Sequence, residues 1–453
     1  MKEFTNEYLD NIKEIIADHR EDEARRLLVD MHPADIAELY QDLDLDEAEY
    51  LYKLLDDETA ADVLMELDED ERRKLLSGMQ AEDIARQIDY LDTDEAVDLI
   101  QELDEEERDE ILSHIDDVEQ AGDIIDLLKY DEDTAGGLMG TEMIVVNENW
   151  SMPECIKQMR MQAEEMDEIY YVYVVDNDNR LRGILPLKKL ITHPSVSKIK
   201  HVMEEDPASV KVDTPIDEVA LDFEKYDLVA MPVVDSIGRL LGRITVDDVM
   251  DEVRESSERD YQLASGISSD VDADDSVFAQ TKARIPWLLI GIASGILASL
   301  ILGGFEHQLE AVTALALFIP IIGGTGGNVG VQASAIVVQG LANGSLEIKQ
   351  FASQLGKEIL IGLLNATVLG GVIFAYNLIM LPHDFAVTIS VACSLWAVVM
   401  FATILGTVVP LTLEKLHINP ALATGPFIQI SNDIVGLIIY VNIATWFLGI
   451  FGS

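Results

Sequence analysis

Positive charge is scarce in this 453-residue sequence, which has 31 Lys and Arg against 84 Asp and Glu and a formal net charge of −53. A surface this acidic repels the phosphate backbone, so nucleic acid is excluded as a partner. The two cysteines, Cys155 and Cys393, are too few for a disulfide framework or a thiolate metal site. The N-terminus, MKEFTNEYLD, lacks the apolar core of a secretory signal, so we expect the acidic region to remain in the cytoplasm.

Charge of either sign is scarce from Arg284 onward, where four basic and seven acidic residues remain. The region before it holds 77 acidic and 27 basic residues, a net charge of −50. A transmembrane helix needs about 20 apolar residues, and five runs of that kind follow. They cover residues 285–305, 311–346, 359–383, 385–413 and 416–453. We therefore predict a multi-pass protein of the cell membrane, with the lipid bilayer as its environment.

The basic residues predict the orientation of these spans, because Lys and Arg near helix ends favour the cytoplasmic side. Arg284, Lys349, Lys357 and Lys415 all fall on one side if the spans alternate. The N-terminal domains are then cytoplasmic and the C-terminus lies outside.

One acidic residue lies deep in the last run. Asp433 falls roughly 15 Å along a span that begins near Ala423, close to mid-bilayer. An ionised carboxylate there costs about 2.5–3.5 kcal/mol even on the lenient insertion scale. No basic residue lies at the same depth, so a cation from solution is the remaining partner. We predict that Asp433 lines an ion path; a protonated or hydrogen-bonded structural Asp is the alternative.

The second run is rich in glycine and reads FIPIIGGTGGNVGVQASA over residues 318–335. In a membrane, small residues let helices approach closely or open a carbonyl-lined stretch. Asn328 and Gln332 are four apart and share one helix face. With Asp433 they favour a polar conduit; packing alone is the alternative. The candidate pore residues are Asp433, Asn328, Gln332, Gly324, Gly327 and Pro320.

An internal repeat lies in the acidic half, where residues 173–190 and 232–249 align without gaps at an offset of 59. Each copy reads strand, turn, Gly, second strand and helix start, preceded by a helix and a short β-like run. A repeated β-α-β-β-α unit buries the open face of each copy against the other. The pattern resembles a cystathionine-β-synthase (CBS) domain pair, a regulatory module that often binds adenosine nucleotides.

The CBS resemblance implies a nucleotide site in the second copy, where a Gly-x-x-Thr-x-x-Asp run is present. The first copy has Pro186 and Lys189 at the matching Thr and Asp positions. The candidate nucleotide residues are Tyr171, Gly242, Thr245 and Asp248.

Two helical regions flank the repeat. Residues 20–130 read as short amphipathic helices with unequal spacing, which predicts an irregular superhelical array. Val246, Val249, Met250 and Val253 follow the i, i+3, i+4, i+7 pattern of a one-sided helix with an acidic outer face. We interpret this helix as a connection between sensor and pore, with a solvated acidic linker as the alternative.

The whole sequence resembles the MgtE family of magnesium channels. The most specific matches are Gly-Thr-Gly-Gly-Asn at 324–328 and NPALATGPFIQISNDIVGLIIY at 419–440, with IYYVYVVD at 169–176 and DTAGGLMG at 133–140. The implied fold is multidomain: an α-helical superhelical N domain, an α/β CBS pair, a plug helix and five all-α membrane spans. The expected boundaries are 1–135 for the N domain, 136–200 and 201–250 for the CBS copies, 246–281 for the plug and 282–453 for the membrane domain.

The resemblance also implies a homodimer with Asp433 of each subunit at the central ion site. It implies that intracellular Mg²⁺ bound by the acidic domains closes the channel, with ATP as a candidate regulatory ligand. Asn419 departs from the family, which has Asp near the cytoplasmic mouth. The implied sensing carboxylates are Asp62, Asp94, Asp217, Asp227, Asp248, Asp251 and Asp260.

Two other functions fit parts of the sequence. A carrier for Mn²⁺ or Co²⁺ keeps the class but changes the ion, although no His/Cys cluster favours a softer metal. A membrane-anchored nucleotide or ion sensor would use the spans only as a tether, and a mid-membrane carboxylate argues against it. The sequence contains no nucleophile–base set or phosphate loop, so we expect no enzyme activity.

Overall fold

The computed structural model describes residues 5–163, 166, 169–193, 197–269, 271, 275–305, 313–346, 351–380 and 385–451. Its internal contacts divide the chain into two units, Met1–Glu252 and Val253–Ser453. The first unit contains short helices and the tandem α/β repeat, and the second contains the long apolar helices.

Ten short helices form the N-terminal part of the first unit. They are α1 Asn6–Ala17, α2 Glu21–Leu28, α3 Pro33–Tyr40, α4 Leu45–Tyr52, α5 Asp57–Glu66, α6 Glu69–Leu76, α7 Ala81–Ile88, α8 Thr93–Gln101, α9 Glu105–Leu112 and α10 Val118–Leu127. Aspartates begin several of them: the Asp44 carboxylate accepts from the Glu47 amide at 2.9 Å, and Glu47 accepts from the Asp44 amide at 3.0 Å. Such caps satisfy free backbone N–H groups, so part of the acidity is structural.

The tandem repeat has the predicted order of elements. The first copy contains β1 Ile144–Asn147, α11 Met152–Gln162, β2 Val172–Val175, β3 Leu181–Leu185 and α12 Leu187–Thr192; β4 Glu204–Glu205 follows. The second contains β5 Val210–Lys211, α13 Ile216–Tyr226, β6 Ala230–Val234, β7 Leu240–Thr245 and α14 Val246–Ser265. In each sheet the first two strands are parallel and the hairpin that follows is antiparallel.

The two hairpin turns repeat each other residue by residue. Asp176 Oδ1 accepts from the backbone N–H of Arg180 at 3.0 Å, and Asp235 Oδ1 accepts from that of Arg239 at 2.8 Å. Both turns need a residue with positive φ, which is 60° at Asn179 and 84° at Gly238. The two copies therefore contain the same turn structure, 59 residues apart in the sequence.

The second unit contains five helices long and apolar enough to cross a membrane, counted within the described ranges. They are α15 Val277–Gly304, α16 Ile319–Ala342, α17 Phe351–Met380, α18 Phe385–Lys415 and α19 Gly425–Phe451, and short 3₁₀ turns at Thr313–Phe318 and Pro420–Ala423 precede α16 and α19. Helix α15 begins eight residues before the predicted run, because a charged residue at the end of a span does not interrupt the helix. Lys349 lies outside the described residues.

Helix α18 forms the centre of this unit. Its apolar side chains pack with those of α19 in a core that includes Val391, Val398 and Tyr440. The Tyr440 hydroxyl donates to the Leu315 carbonyl oxygen at 2.7 Å. Helix α15, by contrast, exposes most of its apolar side chains in the protomer.

Candidate ion sites

Asp433 lies on α19 and faces a large cavity. The cavity has a volume of about 1210 Å³ and is lined by residues of α15, α16 and α19. Arg284 also lines it, and within the described residues this guanidinium donates to Gln280 at 3.0 Å while Asp433 forms no ion pair within 4.0 Å. The Asp433 carboxylate therefore has no cationic partner among the described residues.

Glycines on α16 allow α19 to approach closely. A Cβ at Gly323 would lie 3.4 Å from Asp433 Oδ1, and one at Gly327 would lie 2.6 Å from Gln429 Cδ. A Cβ at Gly326 would lie 2.7 Å from Val398 of α18. The glycine-rich sequence thus packs α16 against two neighbouring helices, and it places the Asp433 carboxylate beside the α16 backbone.

The predicted pore residues separate into two groups. Pro320 and Gly324 line the same cavity as Asp433, and Gly327 packs against Gln429. Asn328 and Gln332 lie on the exposed face of α16 and do not line this cavity. These two exposed amides form a polar stripe on the surface of α16.

A second group of carboxylates lies in the first unit, where the start of α8 meets the segment before β1. Oxygens of Asp92, Asp94 and Glu142 lie within 4.8 Å of one another, a spacing suited to a metal ion. The Glu142 carboxylate accepts from the Thr93 backbone N–H and hydroxyl, each at 3.1 Å. A Cβ at Gly140 would lie 2.7 Å from Asp94 Oδ2, so the last glycine of DTAGGLMG leaves room for this carboxylate.

Negative charge is concentrated around this acidic cluster (Asp92, Asp94 and Glu142). Burial first, and then Asp248, Glu142, Asp92 and Glu95, raise the pKa of Asp94 well above its ordinary value. Burial and Asp92 raise the pKa of Glu95 to about 7, and Asp62 and Asp248 add to it. A divalent cation would relieve this repulsion.

Arg243 of β7 supplies a positive charge beside the cluster. Its guanidinium lies 3.3 Å from Asp92 Oδ2, with 10% of the side chain exposed. Its Nε donates to the Glu142 carbonyl oxygen. One guanidinium offsets only part of the charge of three clustered carboxylates, so the site can still accept a cation.

The predicted sensing residues do not all come together in a protomer. Asp62 and Asp248 act on the same group of carboxylates as Asp94. Asp217, Asp227 and Asp251 lie exposed along α13 and α14. Asp260, in the second unit, accepts from Asn419 Nδ2 at 2.8 Å, which ties the end of α14 to the turn before α19.

In this structure the candidate nucleotide residues contact other parts of the protein. The Thr245 N–H donates to the Asp248 carboxylate at 3.1 Å, and the Thr245 hydroxyl also donates to it. A Cβ at Gly242 would lie 2.6 Å from the Gly140 carbonyl oxygen. Tyr171 lines a cavity of only about 10 Å³, enough for at most a water molecule.

Four residues of these sites were not predicted from the sequence: Asp92, Glu142, Arg243 and Gln429. Gln429 carried a local signal, since it precedes Asp433 by one helical turn. Asp92 could have been identified from the sequence as the N-cap residue of α8, two positions before Asp94. Glu142 and Arg243 carried none, because they reach the cluster through the tertiary fold.

The fold and the two carboxylate sites define a multi-pass membrane protein that handles cations, with an acidic helical domain and a CBS pair attached. The MgtE family of divalent cation transporters matches residues 319–443, its intracellular N domain matches 31–133, and CBS domains match 135–195 and 199–255. The magnesium transporter MgtE of Thermus thermophilus is 37% identical over 330 residues, which is 70% of this chain and 71% of that protein. That of Enterococcus faecalis is 32% identical over 74% of this chain and 73% of its own length.

Two solved structures each resemble about half of this chain. One is the soluble part of a magnesium transporter, with a TM-score of 0.50 and 32% identity over 55% of this chain and 98% of the other. The second is the cytosolic domain of the Mg²⁺ channel MgtE in complex with ATP, with a TM-score of 0.51 and 30% identity over 54% and 99%. The chain belongs to the MgtE family, and it is a transporter rather than an enzyme.

Proposed function

We propose that this protein is a homodimeric Mg²⁺ channel that imports magnesium and closes when intracellular Mg²⁺ binds its acidic domains. The observation that carries the proposal is the Asp433 carboxylate, which faces a cavity of about 1210 Å³ and forms no ion pair within the described residues. A buried carboxylate in a membrane span needs a cationic partner or an aqueous path.

Magnesium fits this site better than a softer metal. Mg²⁺ prefers oxygen ligands and gives up its waters reluctantly, so it passes most easily as a hydrated ion held by a few carboxylates and polar groups. The cavity offers the Asp433 carboxylate and the Gln429 amide. The magnesium transporters that this chain resembles support the same ion.

The surface of α16 supports the proposed dimer. Asn328 and Gln332 are exposed in a single protomer although they lie in a membrane span. Lipid would leave both amides without hydrogen-bond partners, whereas a second protomer or a water-filled pore would satisfy them. Two symmetry-related Asp433 carboxylates would then face one path, and a divalent ion between them would relieve their repulsion.

Closure by Mg²⁺ would use the acidic cluster of Asp92, Asp94 and Glu142. A cation there would neutralise carboxylates that burial and mutual repulsion otherwise destabilise. The compact arrangement binds the ion better than an open one, so rising Mg²⁺ shifts the population toward it. The Asn419–Asp260 hydrogen bond is a contact through which α14 could act on α19.

We place the N-terminal domains in the cytoplasm and the C-terminus outside, which makes the sensor read internal Mg²⁺. ATP is a candidate regulatory ligand of the CBS pair, supported by the ATP complex of the related cytosolic domain. Tyr171 and Gly242 would have to move apart from their present neighbours to admit it.

The test is Mg²⁺ flux into proteoliposomes that contain the full-length protein. Asp433→Ala and Asp433→Asn should abolish the flux while leaving dimerisation intact, because they remove the carboxylate that faces the cavity. Glu414→Gln, at the end of α18, is the control for loss of one negative charge and should retain flux. Undiminished flux in both Asp433 variants would contradict the assignment of Asp433 as the ion site. Faster transport of Mn²⁺ or Co²⁺ than of Mg²⁺ would contradict the assignment of Mg²⁺ as the transported ion.

A further inference from the structure

Gln429 lies one helical turn before Asp433, and both side chains project toward α16. They meet Gly327 and Gly323, which are also one turn apart. Both polar side chains line the same cavity. Each of the two therefore lies against a glycine of the neighbouring helix.

The space around the Gln429 amide is tightly defined. A Cβ at Gly327 would lie closest to Oε1 of Gln429, then 2.5 Å from Nε2 and 2.6 Å from Cδ, so any side chain there would displace the whole amide. Gln429 and Asp433 are four residues apart on α19 and line the same cavity, and Gln–Asp pairs at this spacing can hydrogen-bond on a helix. The whole amide group therefore lies between the α16 backbone and the cavity wall, one helical turn from the Asp433 carboxylate.

We propose that Gln429 is a positioning and selectivity residue of the pore. Its amide nitrogen holds the Asp433 carboxylate toward the cavity, and its amide oxygen accepts hydrogen bonds from the water shell of a passing cation. This inference rests on the proposed function, in which Asp433 is the ion site.

The chemistry of the two common divalent ions gives this arrangement a consequence. Mg²⁺ keeps its waters and demands octahedral geometry, whereas Ca²⁺ sheds water easily and accepts flexible carboxylate ligands. A carboxylate held in place next to an amide oxygen favours contact through water. A carboxylate free to rotate can bind Ca²⁺ directly, so loss of Gln429 should lower the preference for Mg²⁺.

The experiment measures Mg²⁺ and Ca²⁺ flux separately in proteoliposomes of the full-length protein. Gln429→Met keeps the length of the side chain but removes the amide, and it should lower the Mg²⁺:Ca²⁺ flux ratio by about tenfold, the usual scale for a hydrogen bond to a charged group. Gly327→Ala should lower the ratio in the same direction because it displaces the amide. Gly371→Ala, on α17 with open space around its Cβ position, is the matched control and should leave the ratio unchanged.

Gln429→Glu provides a second variant of nearly identical shape that lacks the amide donor, and its ratio should also fall. An unchanged ratio in either Gln429 variant that still elutes as the wild-type oligomer would overturn the inference, since a packing role alone would lower both fluxes together. The Asp433 variants separate the two proposals. If Asp433→Asn abolishes flux while the Gln429 variants keep the wild-type ratio, only the inference about Gln429 fails; if Asp433→Asn retains flux, the proposed function itself fails.

Discussion

In the first unit, Asp94 is half-buried among other carboxylates, and the Arg243 guanidinium lies 3.3 Å from its neighbour Asp92. In the second unit, Asp433 faces a cavity and has no ion pair within the described residues. The acidic cluster thus has several carboxylates with a guanidinium beside them, whereas α19 offers one carboxylate to its cavity.

This difference suits the two tasks that we propose for the regions. A sensor must hold its ion long enough to shift a conformational equilibrium, so several converging carboxylates suit it. A pore must release its ion quickly, so each subunit can offer only a few ligands. Predictions for the two regions should therefore differ in kind, with altered closure in one and lost transport in the other.

The largest effect outside the pore is expected from the cluster itself. In the Asp92→Asn, Asp94→Asn double variant, Mg²⁺ flux should persist at internal concentrations that close the wild type, with the half-inhibiting concentration raised about tenfold or more, because two of the clustered ligands lose their charge. Flux measured across a range of Mg²⁺ on the sensor side checks this. Asp109→Asn with Asp116→Asn, two exposed aspartates of the same domain, is the control. Unaltered inhibition in the double variant would separate the cluster from closure.

A smaller effect is expected on pH dependence. The pKa of Glu95 is raised to about 7 from 4.5, so between these values the folded protein binds more protons than the unfolded chain. Stability should therefore fall as pH rises through this window, and Mg²⁺ should offset the loss once the cluster is ionised. The thermal midpoint of the full-length protein in EDTA should be lower at pH 7.5 than at pH 5.5, with a smaller difference in Mg²⁺. A midpoint that rises with pH in EDTA would contradict this.

The smallest effect is expected at Asn419. Its side-chain oxygen accepts from the Ala421 N–H at 2.8 Å, which leaves the amide nitrogen to donate to Asp260 at 2.8 Å. Asn419→Ala should weaken closure by about threefold to tenfold in half-inhibiting Mg²⁺, the scale of one or two hydrogen bonds. Asn419→Asp keeps the acceptor for the Ala421 N–H but places a second carboxylate opposite Asp260. Closure of this variant should therefore depend more steeply on Mg²⁺. Equal inhibition curves for the two variants and the wild type would exclude a role for this contact in gating.

Much of the fold could be predicted because it depends on local patterns. Uncharged runs of membrane length predicted five spans, and the ungapped repeat predicted the tandem α/β unit, down to the equivalent turns at Asp176 and Asp235. The ends of the spans could not be predicted in this way. The charge pattern starts the first span after Arg284, whereas Arg284 lies inside helix α15.

The sites were less predictable because they depend on tertiary contacts. Asp433 was singled out by the cost of a carboxylate in the bilayer, and the structure places it on the wall of a cavity. Glu142 reaches Asp94 only because the segment before β1 lies beside α8, and no sequence spacing encodes that. Arg243 is a polar residue of strand β7 with no distinguishing sequence pattern. Its contact with Asp92 depends on the tertiary fold.

The most direct test of the central claim is the chemical accessibility of position 433. Asp433→Cys, in a chain with Cys155 and Cys393 changed to Ala, should react with a charged, membrane-impermeant thiol reagent if the cavity is part of the proposed aqueous path. Val372 of α17 is 63% exposed in this structure, on a surface that we expect to face lipid. Val372→Cys should therefore react only with a membrane-permeant reagent. If position 433 reacts with the permeant reagent and resists the charged one, the carboxylate does not face an aqueous path, and the account is contradicted.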